Sequence, residues 1–313
     1  MTTFNNKFEL NPVSDRKTIQ NVLCLDTLFR PHYNNTVSTN HIFHLAEPIN
    51  NVTSIKLSAL ELPNMWYGFS SHNNSNVFYI STYNCPQDIP DKTHKIEIPP
   101  GNYNASVFAE KLNEIFIDLS GGLQYVSVEV DEITTHTFFR TGGNKQADGI
   151  SAYAIGINDP SFYYTIDFSL PGEIKTTHIQ QKSAGWTMGF RKSIYSNILH
   201  TEYLESETSY GSSFYQYVFL EIDDFQRNFS SNTIISSKGD SNLGNNILAR
   251  ITVSSGHNTN IIENGSDLVF KKRNYFGPIR LEKLHIRLLD RFGEVIELNG
   301  NDFSFALEIE KLY

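Results

Sequence analysis

The C-terminal stretch of the chain carries the pattern that most restricts its fold. From Phe303 it reads Phe-Ser-Phe-Ala-Leu-Glu-Ile-Glu, with Phe303, Phe305, Leu307 and Ile309 on one parity and Ser304, Ala306, Glu308 and Glu310 on the other. Side chains alternate across a strand, so this is a half-buried strand with a bulky core face. Upstream, Leu284, Ile286 and Leu288 alternate with His285 and Arg287. Asp290-Arg291-Phe292-Gly293 and Asn299-Gly300-Asn301-Asp302 are turn sequences in which Gly can take positive φ. The pattern predicts three strands joined by two tight turns, an antiparallel meander that runs to Tyr313 as part of the core.

The same signals recur along the chain. Short strands are predicted over Asn21–Arg30, Ile42–Leu45, Val52–Leu62 (ended by Pro63), Val77–Ile80, Tyr125–Val130, Thr134–Arg140, Tyr153–Ile157, Tyr163–Phe168, Tyr215–Asp223 and Ile247–Val253. With 22 Phe and 16 Tyr the composition favours pleated, half-buried surfaces. One long helix is predicted over 104–119: Asn104 caps it, Phe108, Leu112, Ile115 or Phe116, and Leu119 recur at helical spacing, and Gly121-Gly122 stops it. The texture changes at Pro99 and returns to clean alternation at Tyr215. The chain therefore reads as an all-β, mainly antiparallel β-sandwich with an inserted or appended α+β unit. The expected parts are an extended N-terminal arm at 1–21, a frame of 22–93 and 205–313, and the α+β unit at 94–204.

Composition excludes several classes of function. Hydrophobic content of 39% over 313 residues supports a sizeable core. A net charge of −9 argues against a general nucleic-acid binder, which needs clustered Lys and Arg. The N-terminus has no apolar leader region, and no stretch approaches the ~18 apolar residues of a transmembrane helix. Cys24 and Cys85 lack a CxxC partner and read as two reduced thiols.

No pattern asks for catalysis, a metal or a cofactor. Asp223 and Asp224 are adjacent, so on a strand they point to opposite faces, and a solvated strand end is expected. His41 and His44 diverge in the same way and cannot converge on one ion. Asn299–Asp302 has oxygen donors but not the length of a calcium loop. Phosphate-binding glycine loops, a nucleophile elbow and His-Glu-x-x-His are all missing from the sequence. Trp66-Tyr67 and Trp186 are either packing anchors or sugar-stacking platforms. One segment stands out: Lys271, Lys272, Arg273, Arg280, Lys283, Arg287 and Arg291 cluster in an otherwise acidic chain. They form either the solvated face of the meander or a candidate interface for an acidic neighbour.

Several segments, in order, resemble capsid proteins of large icosahedral double-stranded DNA viruses of eukaryotes. They are Leu23–Arg30, Val52–Asn64, Ile98-Pro-Pro-Gly-Asn-Tyr103, Gly185-Trp-Thr-Met-Gly-Phe-Arg191, Tyr275-Phe-Gly-Pro278 and Leu298–Phe305. The resemblance implies a minor capsid or penton-type protein of the nucleocytoplasmic large DNA viruses, built on a jelly-roll β-sandwich and chemically inert. It further implies a place in the virion after synthesis in the host cytoplasm. The implied partners are the major capsid protein, other minor capsid proteins and further copies of the chain, with no specific nucleic acid. A glycan-binding or host-attachment module on a β-sandwich is the alternative.

Overall fold

The computed structural model describes residues 17–85, 88, 90–141, 161–169, 180–199, 201–211, 216–229, 244, 246–254, 256–263 and 272–313. Most of the expected arm, the expected strand Tyr153–Ile157 and Lys271 lie outside the described residues. The chain divides into two compact units, one formed by residues up to Trp66 with Tyr215–Tyr313, the other by Tyr67–Phe214. In chain order the elements are β1 (Thr18–Asp26), β2 (Asn40–Pro63), β3 (Val77–Tyr83), β4 (Lys92–Glu97), α1 (Ala105–Leu119), β5 (Val126–Val130), β6 (His136–Thr141) and β7 (Tyr163–Asp167). There follow α2 (Ala184–Thr187), β8 (Ile194–Leu199), β9 (Tyr203–Ser209), β10 (Tyr217–Asp223), β11 (Ile247–Thr252), β12 (Asn260–Glu263), β13 (Lys272–Leu289) and β14 (Ser304–Leu312). The fold is mainly antiparallel β with an α+β unit, the class expected.

The first unit is a frame built from one seven-stranded sheet of order β1-β14-β2-β13-β10-β11, with β12 also paired to β2. Strands from every part of this sheet share one core: Leu25 of β1, Leu60 of β2, Ile251 of β11, Leu284 of β13 and Phe305 of β14 all belong to it. β11 also lies against β2, although β13 and β10 separate them in sheet order. The sheet therefore doubles over on itself, and both layers of the sandwich come from one hydrogen-bonded sheet.

The long strands make this possible. β2 runs unbroken through Pro48, where two separate strands were expected. Proline cannot donate to a ladder and is tolerated at irregular places. Here the β2–β13 pairing shifts register between Ile279 and Leu281, opposite Val52 and Ile49, and Asn51 takes φ 60°. Such bulges bend a strand and let it serve both layers.

The C-terminal core face is as the alternation predicts: Phe303, Phe305, Leu307 and Ile309 are all buried. The meander is not. β14 pairs with β1 and β2, and β2 lies between it and β13. The expected middle strand shrinks to a single bridge, Leu289 to Val295. The Asn299–Asp302 turn instead ties down the connection after β1: Asp302 accepts from Thr27 Oγ1 (2.8 Å), from Tyr33 OH (2.9 Å) and from Arg30.

The second unit has a four-stranded sheet, β4-β3-β7-β8, and a three-stranded sheet, β5-β6-β9. Residues 77–97, expected in the frame up to 93, supply β3 and β4 here, where β3 pairs with β7. α1 begins as the sequence predicts, with the Asn104 side chain accepting from the Val107 N–H at 2.9 Å. Its apolar stripe of Phe108, Leu112 and Phe116 enters an aromatic core with Phe69, Phe78 and Phe139. Asn113, on the same buried side, donates to Val128 O (2.8 Å) and accepts from Val128 N (2.9 Å). This side chain satisfies the β5 edge as a neighbouring strand would.

Candidate functional site

The basic segment of β13 is the feature singled out by sequence, and the structure disperses it. Arg273 is buried: it donates to Asp224 at 2.7 Å and to the Asn246 carbonyl at 2.8 Å, with the Phe229 ring 4.4 Å from its guanidinium. Tyr275 donates to the same Asp224 carboxylate. Burial, and then the facing carboxylate, push the Tyr275 phenol above its ordinary range. Neither Arg273 nor Asp224 is a surface group, so the expected solvated strand end at Asp224 and the expected interface role of Arg273 are both corrected. A charge this deep needs a partner on the inside.

The other described cations of the segment have intramolecular neighbours. Arg287 pairs with the buried Glu221 at 2.7 Å, Arg280 with Glu282 at 2.9 Å, and Lys272 with Glu310 at 3.5 Å. The Ser54 hydroxyl, donating to Glu310 at 3.0 Å, holds that carboxyl below its usual range, and Lys272 adds to the effect. Lys283 lies 4.1 Å over the Phe225 ring and Arg291 5.8 Å over that of Tyr217. Among the described residues the segment is thus a row of neutralised or ring-stacked cations. Its exposed pair, Arg280–Glu282, contributes only about 0.2–1 kcal/mol.

The second polar cluster was not legible in the sequence. Asp88 Oδ2 accepts from Thr82 Oγ1 (2.6 Å), from the Gly122 N–H (2.7 Å) and lies 2.8 Å from His94 Nε2. Burial raises the Asp88 carboxyl, but these hydrogen bonds outweigh it and hold the group below its ordinary range. A Cβ on Gly122 would come within 2.7 Å of both Asp88 and Thr82, so only glycine fits. The pair looks like half of a catalytic triad, but the geometry is wrong for one. The same ring nitrogen of His94 faces both Asp88 and Thr82 (3.4 Å), so it cannot relay a proton between a nucleophile and the carboxylate. The cluster fastens β3, β4 and the turn after α1.

The remaining candidates resolve as follows. His41 is buried and His44 exposed, so they diverge. Among the described residues no group of three or more His, Cys, Asp or Glu is placed to hold a metal ion. No helix among them is long and apolar enough to cross a membrane. Trp66 is buried, and the face of Trp186 is covered by the Arg191 guanidinium at 4.0 Å. Trp186 is half-buried, and Tyr67 beside Trp66 is exposed. Among the exposed apolar groups, Phe29 is 76% exposed, Phe276 79% and Ile262 72%.

His41 makes one pH dependence explicit. Its ring packs edge-on to Phe43 at 4.7 Å, with the Ser38 and Val37 backbone near its nitrogens. Burial, with Arg30 nearby, lowers its pKa from 6.5 to about 4. The folded state thus binds this proton less readily than the unfolded state. The stability it contributes is complete above pH 6.5 and is lost as pH falls towards 4, amounting to about 3 kcal/mol over that window. Urea unfolding of the wild type and His41→Gln at pH 7 and pH 4 should show the difference between them shifting by that amount. A difference independent of pH would contradict the assignment.

No protein-family model matches the chain, and no curated protein matches it in sequence. Among solved structures it is similar to the mavirus penton protein, at 11% identity and a TM-score of 0.45, covering 95% of this chain and 100% of that one. It is also similar to a chain of the cryo-EM structure of the Sputnik virophage, at 13% identity and a TM-score of 0.41, covering 94% of this chain and 98% of that one.

Proposed function

We propose that the protein is a structural component of the shell of a large icosahedral DNA virus, of minor capsid or penton type, and works through its surfaces without catalysis. The observation that carries this reading is the disposition of its chemistry. The buried polar groups Arg273, Asp224, Glu221, Asp88 and His94 are committed to internal contacts. Several large apolar side chains also stand outward: Phe29 on the turn fastened by Asp302, and Phe276 and Ile262 on strands. Rigid exposed aromatics are the anchors of protein–protein interfaces. The ordered sequence segments that resemble viral capsid proteins run through both units and support the same role. The glycan-binding alternative is weakened with Trp66 buried and Arg191 over Trp186, and it rests on Tyr67, which is exposed.

In this reading the partners are the major capsid protein and other shell proteins, and the N-terminal arm ties the frame to a neighbour. β1 begins at Thr18, which corrects the expected arm boundary at residue 21, and the proposed arm is confined to the part before β1. Deleting residues 2–16 should leave the melting temperature unchanged while incorporation into purified particles falls. Undiminished incorporation of the truncated chain would remove the arm from the account. Absence of the full chain from particles would remove the account itself.

A further inference from the structure

Among the described residues β1 is an edge strand without the usual protection. It pairs with β14 on one side, and among the described residues no strand pairs with its other side. Natural edge strands are blunted by Lys, Pro or a bulge, because a bare row of N–H and C=O groups templates a further strand. From Thr18 to Leu25 the strand carries no charge and no proline, and its nine-residue register with β14 is unbroken. The opposite edge of the same sheet contrasts with it. There the β10–β11 pairing shifts at Leu220/Glu221, and β11 carries Arg250.

The faces of β1 are also unfinished. Leu25 is buried in the frame core, Leu23 packs against that core, and Ile19 on the same face remains exposed. On the other face Val22, at the centre of the strand, is 65% exposed.

We propose that β1 is a self-association edge, at which two copies of the chain pair β1 with β1 antiparallel about a two-fold axis through Val22. In that register Val22 faces Val22 of the second copy, Ile19 faces Leu25, Asn21 faces Leu23 and Gln20 faces Cys24. Opposed residues in an antiparallel pair point to the same side, so the core faces of both copies remain on one side. Ile19 gains an apolar neighbour where the core face is now open, and no like charges meet. The contact is isologous and closes at two copies. It extends the sheet over about 30 Å of paired backbone, the strand-addition mode of recognition. The pairing needs only the geometry of β1 and holds whether or not the protein is built into a shell.

Sedimentation of the full chain across the micromolar range should show a reversible dimer. Val22→Lys should weaken it by roughly tenfold or more with an unchanged melting temperature, since the side chain lies outside the monomer's core. In a Cys24→Ser background, oxidised Val22→Cys should cross-link two copies. Thr18→Cys should not, because the two substituted positions would lie about 27 Å apart along the paired strands. Monomeric behaviour throughout, a dimer indifferent to Val22→Lys, or equal cross-linking at both positions would overturn the proposal.

Discussion

Replacing Asp224 by Ala should cost about 3–5 kcal/mol of folding stability. The carboxylate accepts from Arg273 at 2.7 Å, from the Gln226 N–H at 3.0 Å and from the Tyr275 hydroxyl. With Asp224 gone, the Arg273 guanidinium stays enclosed by Phe229 and the sheet with no counter-charge, and that desolvated cation is the dominant penalty. The double variant Asp224→Ala with Arg273→Leu should recover much of the loss, because replacing a whole buried pair with apolar groups is often close to neutral. Urea denaturation of the three variants measures this. A single variant within about 1 kcal/mol of the wild type, or a double variant worse than the sum of both singles, would contradict it.

The second large effect is at Phe305. It is buried in β14, opposite Leu25 of β1 on one side and Leu60 of β2 on the other, with the Phe303 ring stacked at 5.9 Å. Three strands close around it, so the site cannot collapse after truncation. Phe305→Ala should lower stability by about 3–5 kcal/mol, the transfer loss plus the cavity, a large share of a domain's total. An unfolding midpoint close to that of the wild type would show that the β1–β14–β2 region is not the close-packed part of the frame.

What the sequence showed and what it hid have the same physical origin. Alternation reports which face a side chain takes, and it placed Phe303, Phe305, Leu307 and Ile309 correctly. It does not report which strand lies alongside. The order β14-β2-β13 depends on a partner more than 200 residues away, and no local signal carries it. Parity also fails across bulges. In β13 the buried positions run Arg273, Tyr275, Ile279 and Leu281, then Leu284, Ile286 and Leu288 with Leu289 at the end, changing phase at the register shift between Leu281 and Lys283. Counting back from Leu288 puts Arg273 outside, whereas counting from its neighbour Tyr275 puts it inside. That shared parity with an aromatic was the available signal.

The helix was legible because its information is local: the Asn104 cap, the stripe and the stop lie within one short stretch. The Asp88–His94–Thr82 cluster was not, because its members come together only when β3 pairs with β4 and the turn after α1 closes over them. Asp302 hid for the same reason, since its partners Thr27, Arg30 and Tyr33 belong to the other end of the chain.

The central proposal, that this protein serves as a fixed structural part of a viral shell, is tested most directly by a cryo-EM reconstruction of the native particle. The account predicts density for both units at symmetry-related shell positions, with Phe29, Phe276 and Ile262 buried against neighbouring proteins. A particle lacking that density, with the protein abundant in the infected cell, would contradict it.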